Sequence, residues 1–195
     1  MKKIYGIVTV AALVVGIGSA WIYQEGDRPS SKSFALAKIF KSAEDIANDS
    51  KLIVNATIPN EYKEEMVGEL KYFVYQVKVN KVYNNLTNQK IEDGDTIELY
   101  RLIGIDMGKG KDIVNIVEQK NQDIDKGDYL LFLNGGYVET LGKEILVPNT
   151  PNQLFMASSS KGITLTNSSK VEYKNVFESD AIPSIHEEEL LNAIK

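Results

Sequence analysis

The chain has 195 residues, 43% apolar and 25% charged, which suits one domain with a real core plus an appendage and leaves two full domains cramped. It contains no cysteine, so disulfides, thiolate zinc sites and cysteine nucleophiles are excluded. The net charge is −5, and with Lys2 and Lys3 set aside the remaining 20 Lys and Arg face 27 Asp and Glu, a balance of −7 that repels phosphate backbones and argues against nucleic acid as a partner.

From Ile4 to Tyr23 no residue is charged, and as a helix this run is long enough to cross a hydrocarbon layer of about 30 Å. Lys2 and Lys3 precede it, while Glu25 and Asp27 follow with only Arg28 nearby. The positive-inside rule therefore puts the N-terminus in the cytoplasm and the bulk of the chain outside. Trp21 and Tyr23, with Tyr5 at the opposite end, read as the interfacial belt of a retained signal-anchor. The alternative is a secreted protein whose signal peptide is cleaved after Ala20, since Gly18 and Ala20 are the small residues a signal peptidase reads. The expected organisation is a single-pass plasma-membrane anchor over residues 1–23, a linker over 24–33, and an extracytoplasmic β-rich domain with flanking helices over 34–195. Abundant Lys, Asn and Ile without Cys suit a bacterial source.

After the linker, Leu36, Ile39, Phe40, Ala43, Ile46 and Ala47 recur at helical spacing, which predicts an amphipathic helix over Phe34 to Asn48 with a break near Ser42. The period then changes to alternation. Leu52 to Ile58 is a short strand and Tyr72 to Tyr83 a long one, in which Val82 breaks the parity and implies a bulge near Asn80. The charged stretch between them, Pro59 to Gly68, reads as a loop. Further strands are expected at Thr96 to Leu102, Asp112 to Glu118, Tyr129 to Leu133, Tyr137 to Val147, Leu154 to Ala157, Gly162 to Thr166 and Val171 to Phe177. Turn chemistry separates them at Glu92 to Asp95, Gly108 to Lys111, Asp125 to Asp128 and Asn134 to Gly136. This spacing predicts a mainly β domain, a small antiparallel barrel or sandwich preceded by one helix. At the end of the chain Ser184 and Glu187 have capping-box spacing ahead of Leu190, Leu191 and Ile194, which predicts a docked helix over Ile185 to Lys195.

The succession of an anchor, a short helix, "KLIVNATI", "YFVYQVKVNKVY", "EDGDTIELYR", "KGDYLLFL" and "SIHEEELLNAIK" resembles a group of uncharacterised membrane-anchored or secreted proteins of Gram-positive bacteria, over about Ser42 to Lys195. The resemblance implies an OB-like barrel distantly similar to netrin and metalloproteinase-inhibitor modules. It implies no activity, and the N-terminal cysteines that those modules use are missing from this chain.

No residue set converges on a known chemistry. His186 is the only histidine and falls at the predicted helix start among Glu187, Glu188 and Glu189, which reads as solvent-facing. Asp123, Asp125 and Asp128 suggest a calcium loop, but a register begun at Asn121 puts Lys126 where the invariant glycine belongs and Phe132 where the bidentate glutamate belongs. Gly104 to Lys111 has the glycines of a phosphate loop at the wrong spacing and lacks the hydroxyl residue after Lys109. Glu64 with Glu65 and Asp93 with Asp95 are carboxylate pairs that read as acidic loops. Asn55, Asn85 and Asn167 begin glycosylation-type triplets that arise readily in an Asn-rich chain. Tyr62, Tyr72, Tyr75, Tyr83, Tyr100, Tyr129, Tyr137 and Tyr173 offer either a binding face or half-buried strand packing. No catalytic, cofactor-binding or metal-binding residue is assigned. The expectation is a non-enzymatic binding or accessory module of the bacterial cell envelope, partnered by the membrane through Ile4 to Tyr23 and by an envelope protein or peptide. A carboxylate-based hydrolase and a structural or stress-related envelope protein are the alternatives.

Overall fold

The computed structural model describes residues 40–108, 113–118, 121–150, 153–158, 171–177 and 182–194. The expected anchor at Ile4 to Tyr23, the linker, the helix before Phe40, the strand at Gly162 to Thr166 and the Asn167 triplet lie outside them. Among the described residues no helix is long and apolar enough to cross a membrane.

Helix α1 spans Ala43–Asn48, and Ser42 supplies its start: the Ser42 Oγ accepts the Asp45 amide at 3.0 Å. The break expected near Ser42 is thus a helix N-terminus. Ala43, Ile46 and Ala47 form its buried face. Ten strands follow: β1 (Leu52–Ile58), β2 (Lys63–Val67), β3 (Leu70–Asn85), β4 (Thr96–Asp106), β5 (Ile113–Asn115), β6 (Gly127–Val138), β7 (Lys143–Pro148), β8 (Phe155–Ala157), β9 (Glu172–Asn175) and β10 (Ser184–His186), with helix α2 (Glu187–Ala193) last.

Strand β1 is hydrogen-bonded on both edges, to β3 and to β6, and the order β1-β3-β4-β7-β6 therefore closes into a five-stranded ring. All its pairings are antiparallel except β4 with β7, which run parallel at Leu99 and Leu146, so the expectation of a wholly antiparallel barrel is corrected there. β2 lies outside β3, β5 outside β4, and β8, β9 and β10 extend the sheet from β6. Period-2 alternation fills the interior with Leu52, Val54, Ala56 and Ile58 of β1, Phe73, Tyr75, Val77 and Val79 of β3, and Tyr129, Leu131 and Leu133 of β6. A second cluster lies outside the ring, where Ile53, Leu130, Phe132 and Phe155 are covered by α1 and α2 through Ile46 and Leu190. A third joins Tyr72, Val74, Tyr100, Ile145 and Val147 on the β3–β4–β7 side.

Three expectations are overturned, each for a local reason. The segment Pro59 to Gly68 is not all loop, because Lys63–Val67 pairs with β3 through a turn at Gly68 (φ 62°). It is an edge strand whose exposed charges hide the alternation. Asn134 to Gly136 is not a turn but part of β6, and the expected single strand from Tyr137 to Val147 is the end of β6, a turn and β7. A Cβ on Gly135 would stand 3.2 Å from a Leu146 methyl, so glycine here serves the close approach of β7. The real reversal comes at Gly142, with φ of 65°. Last, the Ser184–Glu187 capping box does not form. Ser184–His186 pairs with β9 as a strand, His186 occupies the N-cap position without a side-chain cap, and Leu191 is 41% exposed while Leu190 is fully buried.

Candidate functional site

Strand β3 is longer than the β1 segment it covers, and the register slips twice. Ile53 faces Asn84 but Val54 faces Val82, and Asn55 faces Lys81 but Ala56 faces Val79. The two residues left over are Tyr83 and Asn80. A bulge turns the extra side chain away from its regular place, and both of these come out on the face of β1 that carries Asn55 and Thr57. The Asn80 amide then donates to Asn55 Oδ1 at 2.9 Å, Thr57 Oγ1 at 3.0 Å and Asp128 Oδ1 at 3.2 Å, while the Thr57 hydroxyl donates to the same Asp128 oxygen.

Tyr83 anchors the other half. Its hydroxyl donates to Glu187 Oε1 at 2.7 Å, so it accepts from the Tyr173 hydroxyl at 3.0 Å, which in turn accepts from the Asn55 amide at 3.3 Å. Lys81 completes the array with an ion pair to Glu187 at 2.7 Å and its ammonium 4.6 Å from the Tyr83 ring centre. Burial, reinforced by Tyr173 and Glu187, drives the Tyr83 hydroxyl well above the ordinary phenol range. Lys81 holds the Glu187 carboxyl below its ordinary value, with desolvation opposing. Eight side chains from β1, β3, β6, β9 and α2 thus form one connected polar surface, open at Asn80, Lys81 and Asp128. It presents amide, hydroxyl, ammonium and carboxylate groups side by side, a set suited to hydrogen-bonded recognition.

A second unusual place is inside the ring. Arg101 shares the inward parity of Leu99 and Ile103 and is 0% exposed. Its Nη1 and Nη2 donate to the Gln122 and Asn121 carbonyls, and the guanidinium lies 5.4 Å from the Phe177 ring. Burial lowers its pKa, with Tyr75, Tyr129 and Asp123 pulling the other way. The Tyr129 hydroxyl, bonded to the Asp125 carbonyl at 2.7 Å, is pushed by burial up to about 12.

The residues singled out from sequence fall as follows. Asp123, Asp125 and Asp128 do not converge: the Asp123 carboxylate accepts from Tyr62, Asp125 serves through its carbonyl, and Asp128 joins the Asn80 cluster. Among the described residues no group of three His, Cys, Asp or Glu is placed to hold a metal ion. Glu64 pairs with Lys71 and its β2 neighbour Glu65 with Lys63. Asp93 and Asp95 cap backbone amides of Val82 and Glu92. Gly104 is a β4 residue against Ile113, and Lys109 to Lys111 lie outside the described residues. His186 is exposed. Asn55 and Asn85 are engaged in side-chain hydrogen bonds. Tyr72, Tyr75, Tyr100, Tyr129 and Tyr173 are buried, Tyr83 is half-buried, and Tyr62 and Tyr137 are exposed. Sequence reasoning passed over Arg101, Thr57, Lys81 and Glu187 as site residues. The only signal for Arg101 was its place in the inward alternation of β4. No protein-family model, curated protein or solved structure matches the chain.

Proposed function

We propose that the chain is a non-enzymatic binding or accessory module of the bacterial cell envelope, held in the plasma membrane by Ile4 to Tyr23 with its β-rich domain outside, and that a partner docks on the Asn80–Asp128 face. The observation that carries the binding reading is the double bulge. Two register slips in one strand pairing interrupt the ladder, and both displaced side chains become hubs of the same polar surface. Bulges concentrate where a sheet must aim a side chain rather than merely pack one. The ring order, with its single parallel contact, supports an OB-like barrel, a scaffold that commonly carries ligand faces. The charge-free run and its flanking lysines support the anchor and its orientation.

The test is recovery of the full-length, C-terminally tagged protein from cross-linked cells, beside an Asn80→Ala variant shown to melt at a similar temperature. The expected result is an envelope protein, peptide or glycan that accompanies the parent and is depleted from the variant. Equal recovery from both, or no companion at all, refutes the docking face. In the same intact cells added protease should remove the C-terminal tag, and protection of that tag overturns the orientation.

A further inference from the structure

Where β1 begins, β6 and β7 run on together past the end of the ring. Their register holds without a slip from Leu133 opposite Pro148 to Val138 opposite Lys143. The inward row of Tyr129, Leu131 and Leu133 therefore continues through Gly135, opposite Leu146, to Tyr137, opposite Glu144. Leu146 is still part of the interior, but one step further out the row leaves it: Tyr137 has inward parity and is 56% exposed. An aromatic side chain at an inward position that stands mostly in water belongs to the mouth of the ring rather than to its filling, and barrel mouths are common places for ligands.

Glu144 is the cross-strand partner of Tyr137, which puts their Cβ atoms about 5 Å apart on one face. The loop between β3 and β4 holds both of its carboxylate oxygens: Asn88 Nδ2 donates to Oε1 at 3.2 Å and Gln89 Nε2 to Oε2 at 3.4 Å. That loop is itself fixed. The Asn85 side chain accepts from the Thr87 amide at 3.0 Å and from the Thr87 hydroxyl at 2.7 Å, it donates to the Gln89 carbonyl at 3.0 Å, and Ile91 is buried in the ring. The two amides orient the carboxylate without neutralising it, and among the described residues no lysine or arginine pairs with Glu144. An uncompensated negative charge with lone pairs to spare thus stands beside an exposed phenol ring, on an acidic protein. A cation is attracted by the carboxylate, by the ring and by the field of the whole molecule. Because each carboxylate oxygen already holds a donor, the two-pronged pairing that favours a guanidinium is obstructed, and a compact ammonium fits better.

We propose that this mouth of the ring binds the ammonium group of a lysine side chain on a partner peptide, with Glu144 as its counter-ion and the Tyr137 ring as its platform. The site uses none of the residues of the Asn80–Asp128 face, so its failure leaves the docking proposal standing, and the converse also holds.

The experiment uses full-length protein in a non-ionic detergent, with a terminally blocked glycine-lysine-glycine peptide as the probe and blocked glycine-norleucine-glycine as its uncharged counterpart, each titrated at constant ionic strength. The amide resonances of Asn88, Gln89, Tyr137 and Glu144 are followed by nuclear magnetic resonance. A saturable shift with the lysine peptide and none with the norleucine peptide is expected. Tyr137→Leu, which keeps the charge, should raise the half-saturating concentration at least about twofold, the loss of an exposed cation–ring contact. Glu144→Gln, which keeps the size and an acceptor for the loop amides, should raise it by at least about the same factor. Tyr137 is mostly exposed and Glu144 half-buried, so the rest of the spectrum should superimpose on that of the parent and show the fold intact. No saturation in the parent, an equal response to the norleucine peptide, or an unchanged half-saturating concentration in either variant overturns the proposal; the last of these would reduce the attraction to the general acidity of the protein.

Discussion

Replacing Leu190 by alanine isolates the docking of the last helix. Leu190 is fully buried and is the only described α2 residue that is, packed in a cluster with Phe40, Ile46, Phe155 and Ile185. Truncating a fully buried leucine costs about 2–5 kcal/mol, the spread reflecting how far the site collapses. α2 has only seven residues, so it can settle inward, and a value of about 3 kcal/mol is expected. For a domain of this size each kcal/mol lowers the melting temperature by roughly 2–4 °C, which gives a fall of roughly 6–12 °C. Leu191, 41% exposed, is the matched control, and Leu191→Ala should stay within about 0.5 kcal/mol of the parent. Calorimetry or circular dichroism of the full-length protein measures both. Equal melting temperatures for the two variants would refute the packing argument and make α2 a free appendage.

Ser42→Ala removes the N-terminal side-chain cap of α1 and should cost about 1 kcal/mol, read from chemical denaturation. The Lys81–Glu187 pair gives a pH signature with a definite sign. The folded-state value of Glu187 lies below its ordinary 4.5, so its stabilisation is present above that pH and disappears as pH falls through the lowered folded value. Lys81 is about half exposed, so the effect is at most about 1 kcal/mol, and the stability gap between the parent and Lys81→Met should close as the pH falls from neutral through the lowered folded value of Glu187. Finally, single-stranded oligonucleotides should show no salt-sensitive binding at physiological salt, because the acidic balance opposes counterion release; measurable binding would reveal a basic groove.

Much of the sheet was legible because its strands alternate cleanly. Parity in Tyr72 to Tyr83 placed the interior residues of β3, and the break at Val82 located the bulge at Asn80. The second bulge, at Tyr83, was not legible, since it depends on which β1 residue lies opposite, a matter of register rather than composition. β2 escaped for a different reason. As an edge strand it exposes Lys63, Glu64 and Met66, and only Val67 is buried, so no period survives to be read. Gly135 and Gly136 resemble turn residues until β7 is known to cross close beside them. At the chain end, Ser184 and Glu187 have cap spacing, but Ile185 is fully buried against β9, and that pairing claims the residues a cap would need. The polar face illustrates the general limit: its members come from five separate elements, and only the closed ring brings them together.

Closure of the ring also sets a timetable for folding. Strand β1 is paired on both edges, yet one of its neighbours comes far later in the chain: the amide of Lys51, just before β1, donates to the Asn134 side chain, 83 residues away. Pairing across so long a loop is slow to find, because chain entropy is surrendered before any contact rewards it. Until β6 has been synthesised, the apolar Leu52–Ile58 segment can be held by β3 alone, with its other edge unpaired and open to foreign strands. The step that commits the chain is therefore the arrival of Gly127–Val138, and variants in the β6 residues that meet β1 should slow refolding and raise aggregation during synthesis before they alter the finished molecule.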